Sequence, residues 1–311
     1  MPSWFSDFEI KDKVIYVKST GAELPFDGEI IKEALSWFPF FITERTRRLF
    51  PSFTRAKRLK IAYSPVVPRP WYLLSVLANR ARMKRTNDFG AADAVFYFED
   101  KTAVAPPAIP TGTKKAFNFG CHDISKSRVG DVFKQVFGYD LAVDPRTYKG
   151  KIAVKSEKNG AHDGYETVAP LPPEHPYDPE LVYQKLIDNT ADGKWAEDMR
   201  CPITGGDIAV VFVKRRPLKT RFANINSSVE LKSPDGLLST EERAKIKEFA
   251  AAMGLDWGGM DILRNKEDGK IYIVDVNKTD MGPPIALSMK DKSKATAVLT
   301  AQLLKLIADK D

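Results

Sequence analysis

Residues Met253-Gly254-Leu255-Asp256-Trp257-Gly258-Gly259-Met260-Asp261 and Ile271-Tyr272-Ile273-Val274-Asp275-Val276-Asn277 place acids inside apolar runs. An ionised carboxylate in such a run is costly unless something neutralises it. Between the runs, Asn265-Lys266-Glu267-Asp268-Gly269 is a hairpin signal. Side chains alternate along a strand, so Asp275 and Asn277 share one face, and Ile273, Val274 and Val276 are expected to supply burial. The hairpin brings Asp261 alongside. Two carboxylates and an amide oxygen form a hard-oxygen set suited to Mg²⁺, which binds through few carboxylates plus substrate phosphates. The chemistry implied is capture of a nucleotide triphosphate through metal.

Upstream lysines strengthen that reading. Lys155 ends the apolar run Lys151-Ile152-Ala153-Val154 and opens a loop with Asn159, Gly160 and Gly164. Such a lysine can neutralise phosphates while glycines let backbone N–H groups approach them. Taken alone, an ordinary strand-end lysine is the simpler reading, and no GxxxxGK[ST] string is present. Lys126 opens a helix just before this strand and is a second phosphate candidate. Gln184-Lys185-Leu186-Ile187 reads as a strand edge whose backbone can pair with an adenine between apolar neighbours. The basic run Lys214–Arg221 is either a solvated face or a site for an anionic acceptor, with Arg221, Asn224 and Asn226 as the substrate contacts. His162 lies in the presumed phosphate loop, where a surface histidine is the plainer reading.

These groups need elements to hold them. Lys60–Tyr63, Ala94–Phe98 and Ala116–Phe119 read as strands around a helix at Trp71–Met83, a small parallel βαβ unit. A helix from Ser125 ends at Gly138, and strands follow at Lys151–Lys155 and Leu181–Ile187. Asp198–Ile203 and Asp207–Lys214 form a hairpin around Gly205-Gly206. Ser239–Met253 is a helix whose N-cap is Ser239, with a capping box, and Ala295–Ala308 is a closing helix. Near the start, Val14–Val17 is a short strand and Gly28–Phe41 an amphipathic helix ended near Pro39.

The 311 residues suit two domains, and a net charge of +7 favours anionic small molecules, acidic partners or a membrane surface without requiring nucleic acid. No stretch has the apolar length of a membrane span, and the N-terminus lacks a signal-peptide pattern. Cys121 and Cys201 form no metal or disulfide framework, so a reducing cytoplasm is the expected location. Residues 36–53 mix aromatics with Arg45, Arg47 and Arg48, a stretch that packs on the protein's own core or lies on a membrane.

The order of parts resembles the ATP-grasp superfamily over about residues 57–311, most specifically at Asp261–Pro284. What the resemblance implies is an α+β, α/β chain with an ATP-grasp fold behind a small N-terminal βαβ (pre-ATP-grasp) domain. Its expected regions are an extension at 1–56, the pre-ATP-grasp domain at 57–120 and the ATP-grasp domain at 121–311, with a lid at about 145–187. ATP and Mg²⁺ are the implied cofactors. Lys126 and Lys155 look like the paired phosphate lysines, and Gln184, Lys185 and Ile187 like the adenine hinge. Asp261, Asp275 and Asn277 look like the metal ligands, and Arg200 like a phosphate- or substrate-facing arginine. Two departures are a short loop after Lys155 and an Asp at 275 where Glu is commoner. The implied activity is an ATP- and Mg-dependent carboxylate–amine or carboxylate–thiol ligase that forms an acyl phosphate and releases ADP and phosphate. The alternatives are a kinase acting on an anionic metabolite or sugar, and a non-catalytic nucleotide-binding or membrane-docking module. The expected partners are a small carboxylate and its nucleophile, with no nucleic acid; a homodimer and a peripheral membrane contact through the N-terminus complete the set.

Overall fold

A computed structural model describes residues 8–18, 22–26, 28–47, 58–161, 163–223 and 226–309. The chain forms two compact units from discontinuous segments: residues 1–100, 107–119 and 279–311 in the first, 101–106 and 120–278 in the second. The sequence reading followed three consecutive regions instead.

In the first unit, β1 (Phe8–Lys11), β2 (Val14–Val17) and β3 (Ala22–Pro25) make an antiparallel sheet. Helix α1 (Gly28–Thr46) follows. It does not end near Pro39 as expected but runs through it. Proline removes one helical donor, yet the turn beyond it is anchored: Phe40 and Phe41 are buried, and Glu44 accepts hydrogen bonds from Arg80 at 2.6 Å and Arg47 at 3.2 Å. Next come β4 (Lys60–Pro65), α2 (Leu73–Arg80), β5 (Lys84–Arg85), β6 (Ala94–Phe98) and β7 (Ala116–Phe117). These strands form a parallel sheet in the order β5-β4-β6-β7, as the βαβ pattern predicts. Strand β7 stops two residues short of expectation because Asn118 takes a positive φ of 64°.

The second unit opens with α3 (Lys126–Phe137), capped by Ser125 and closed by Gly138 at φ 81°. A three-stranded antiparallel sheet holds β8 (Gly150–Ser156), β9 (Tyr165–Ala169) and β10 (Leu181–Lys185) in the order β10-β8-β9. The larger sheet uses β11 (Thr190–Ala191), β12 (Trp195–Thr204), β13 (Asp207–Ile208), β14 (Val211–Pro217) and β15 (Ser228–Lys232). After α4 (Thr240–Ala252) it is completed by β16 (Trp257–Arg264) and β17 (Ile271–Asn277), in the order β15-β14-β12-β16-β17. The chain then returns to the first unit as α5 (Met289–Asp309), six residues longer at its start than the apolar pattern predicts.

Alternation assigns two roles to the larger sheet. Met199, Cys201, Ile203, Val211, Val213, Met260, Ile262, Ile273 and Val276 join one core cluster with Val129, Val132 and Phe133 of α3 and Ile246 and Phe249 of α4. The residues between them, Asp198, Arg200, Lys214 and Asp261, therefore share the opposite face. Both hairpins fold as predicted. Gly205 and Gly206 take φ of 60° and 80° between Thr204 and Asp207, and Gly269 closes the β16–β17 turn onto Asn265. The capping box at Ser239 and Glu242 is formed in full.

One expectation for β17 is corrected. Asp261 pairs with Asp275 but Ile262 pairs with Ile273, so Val274 is an extra residue in a β-bulge and is only partly buried. Close approach fixes the same strand pair nearby, since a Cβ on Gly258 would lie 2.4 Å from the carbonyl oxygen of Asn277. Gly258→Ala is expected to lower unfolding free energy by about 1–3 kcal/mol through this overlap. An unchanged denaturation midpoint would show that the β17 backbone gives way at no cost.

Candidate active site

The site builds outward from β16 and β17, where Asp261 and Asp275 are directly opposed and Asn277 opposes Gly259. Like charges so placed disfavour joint ionisation. Burial would raise the Asp261 pKa, but Lys214 and Arg200 outweigh it and hold the group well below the usual carboxylate range. Their geometry is direct: Lys214 Nζ lies 2.9 Å from Asp261 Oδ1, and Arg200 Nη1 lies 3.2 Å from Oδ2. Asp275 goes the other way. Burial raises its pKa, the Asp261 charge adds to that, and Lys126, Arg200 and Lys155 oppose it.

The lysines come from other elements. Lys126 is the first residue of α3, nine-tenths buried, and its Nζ donates to the Lys158 carbonyl at 2.9 Å. At the same helix start, Ser127 N–H donates to Glu157 Oε2 at 3.1 Å, so a carboxylate occupies the position that a helix N-terminus offers to an anion. Lys155 stands on β8 opposite Val182 and donates to Gln184 Oε1 at 3.1 Å. Burial lowers its pKa to about 8, against the pull of Asp275 and with a smaller push from Lys126. Lys126, Lys155, Asp261 and Asp275 thus share one electrostatic cluster.

The hinge candidates are firmly tied. Gln184 and Val182 share the Lys155 face of β10, while Tyr183 packs with Ile152 and Val154 on the other. Lys185 N–H donates to the Leu141 carbonyl and Leu186 N–H to the Lys151 carbonyl. Ile187 is buried, and its carbonyl accepts from Arg221 Nη2 at 2.8 Å. Arg221 also donates to Asn189 and lies 3.7 Å from Glu166. The structure therefore places Arg221 against the Ile187 carbonyl and Asn189. Asn224 and His162 lie outside the described residues, and Asn226 carries a buried amide oxygen without a partner among them.

Of the two readings of the basic run, neither a solvated face nor an open anion collector describes its strand portion. Lys214 pairs with Asp261, Arg215 with Glu197 at 2.7 Å, and Arg216 with Asp198 at 2.8 Å. Burial raises the Asp198 pKa while Arg216 and Lys214 oppose it. Sequence reasoning missed Lys214 and Arg216 as members of the charged cluster. The available signal was their alternation with Val211 and Val213, which puts both on one face of a strand.

The donor set can be weighed for a divalent cation. Among the described residues, no three His, Cys, Asp or Glu side chains lie together as a metal cluster. What is present is the opposed pair Asp261 and Asp275, with Asn277 two residues along β17. That set is incomplete as an all-protein cage and fits Mg²⁺ that draws its remaining ligands from phosphates and water. The cysteines are not candidates: both are buried, and burial pushes the Cys121 thiol up to about 12 and Cys201 higher still.

No family model matches this chain, and no curated protein sequence matches it. Solved structures do. The ATP-grasp ligase PsnB complexed with minimal precursor aligns at TM-score 0.51 and 12% identity over 81% of this chain and 99% of that one. The same ligase with minimal precursor, Mg and ADP gives TM-score 0.50 and 14% identity, covering 80% and 98%. D-alanine–D-alanine ligase from Bacillus anthracis complexed with ATP gives 0.48 and 12%, covering 82% and 97%. The chain has the ATP-grasp fold.

Lys155 supplies a test of the site that needs no acceptor. A triphosphate beside it favours the charged form and raises its pKa, so nucleotide binding above about pH 8 takes up a proton. ATP affinity is expected to weaken as pH rises from 7 towards 10. Calorimetry in buffers of different ionisation enthalpy reads the uptake directly. Lys155→Ala should abolish it and weaken ATP binding by about 1–3 kcal/mol; equal uptake in that variant would remove Lys155 from the phosphate site.

Proposed function

We propose that this protein is an ATP-dependent ligase that joins a carboxylate to an amine or thiol and releases ADP and phosphate. What supports the reading is the opposition of Asp261 and Asp275 across β16 and β17 on an ATP-grasp fold, with Lys126 and Lys155 among the charges that act on Asp275. Six cations, Lys126, Lys155, Arg200, Lys214, Arg216 and Arg221, stand against four carboxylates, Asp163, Asp198, Asp261 and Asp275. That excess suits a metal-bound triphosphate.

In this reading Lys126 and Lys155 neutralise phosphate charge, and the hinge at Gln184, Lys185 and Ile187 holds the adenine. Asp261, Asp275 and Asn277 would hold Mg²⁺, which would supply charge neutralisation to the transferring phosphate. Arg200, the register partner of Asp261 on β12, orients the transferring group. A carboxylate oxygen attacks the γ-phosphorus as the bond to the β-oxygen breaks and ADP departs. The amine or thiol then attacks the acyl carbon, phosphate leaves, and the nucleophile's proton passes to solvent. Arg221, through the hinge and Asn189, sets the position of the adenine edge.

The reading is tested by ADP and phosphate release that requires both an acid and a nucleophile. Because PsnB was solved with a precursor peptide, peptide carboxylates belong in the screened pool beside free amino acids. AMP and pyrophosphate would contradict the ligase, and stable γ-phosphate in product would favour the kinase. Asp275→Asn is expected to abolish turnover with the fold intact.

Both oxygens of Asp261 are paired with internal cations, which compete with a metal for the same carboxylate. Lys214→Met is therefore expected to tighten Mn²⁺ binding in the nucleotide-free protein by about tenfold, near 1.4 kcal/mol. Electron paramagnetic resonance of free Mn²⁺ measures this, and unchanged affinity would place the metal away from Asp261.

A further inference from the structure

The first turn of α3 carries the charge that a helix start disfavours. Lys126, Ser127 and Arg128 bring two cations and no acid to an end where the backbone dipole favours negative charge. Asp123, just before the cap, is taken up by the Ser125 N–H at 2.8 Å. The anion that this turn lacks comes from 30 residues downstream. Glu157, in the loop after β8, accepts from the Ser127 N–H at 3.1 Å through one carboxylate oxygen and from the Ser127 hydroxyl through the other.

The same loop is fastened at further points. Lys126 Nζ donates to the Lys158 carbonyl at 2.9 Å, and the Asn159 N–H donates to Thr102 Oγ1 at 2.8 Å. Asp163 accepts from the Ser156 N–H at 3.4 Å and lies in the field of Lys126. A loop that only brought backbone N–H groups to an anion would present donors to the site. This one presents acceptors, a carboxylate and a carbonyl, to an ammonium, a backbone N–H and a hydroxyl. Those three donors are of the kinds that hold phosphate oxygens at a helix start.

We infer that Glu157 is a built-in competitor for the triphosphate, an autoinhibitory contact that couples release of the loop after β8 to nucleotide binding. The coupling rests on the reading of Lys126 as a phosphate ligand proposed above. Titration calorimetry of the full chain with ATP and Mg²⁺ tests it. Glu157→Gln keeps the side chain's shape and removes its charge, and is expected to tighten ATP binding by about threefold or more. Hydrogen exchange of the nucleotide-free protein reads the contact by itself: the Ser127 and Asn159 amides should exchange faster in that variant. Thr102→Val removes the hydroxyl that holds Asn159, leaves the start of α3 untouched, and should shift both readings in the same direction. Parental ATP affinity in both variants, or weaker binding by Glu157→Gln, overturns the competition and leaves the ligase reading standing. Unchanged exchange in Glu157→Gln overturns it too, because the carboxylate then does not hold the loop. No ATP binding by the parent chain removes the ligase reading and the competition together.

Discussion

Two carboxylates face each other across β16 and β17, and much of the second unit's polar structure answers the problem this creates. One of them must be neutralised from within or the pair cannot stay charged. Lys214 and Arg200 do this for Asp261 from two neighbouring strands. Asp275 is left with the more distant charges of Lys126 and Lys155, and burial prevails over them. The resting site thus holds an ionised acid with its cations attached, beside an acid pushed towards neutrality. A divalent cation carrying phosphates would favour ionisation of both.

The two-faced sheet makes this arrangement tolerable. One face is closed by α3 and α4 over a continuous apolar core, so the charged face contributes little to holding the sheet together. Pairing across β14, β12 and β16 lets Arg216, Asp198, Lys214, Asp261 and Arg200 alternate in sign. A run of basic residues that reads as a patch along the chain is, in three dimensions, largely internal counter-charge.

What the sequence makes legible follows from local rules. Caps at Ser125 and Ser239, the left-handed Gly138, both glycine hairpins and the alternation that groups Asp275 with Asn277 are properties of a few adjacent residues. The pairing of Arg200 with Asp261 was not legible, because β12 and β16 are distant in sequence and strand order is decided by tertiary packing. For the same reason the partners of Lys214 and Arg216 stayed hidden. The bulge at Val274 breaks the period-two pattern that the apolar run implies, and its cause lies in the partner strand. Helix α1 passes Pro39 because buried Phe40, Phe41 and Glu44 outweigh the lost hydrogen bond, a balance local propensity does not contain.

A crystal structure of the chain with magnesium and a non-hydrolysable ATP analogue tests the central claim most directly. The account requires an ion between Asp261 and Asp275 with a phosphate oxygen in its coordination shell. Nucleotide bound with no ion between the two acids would contradict it.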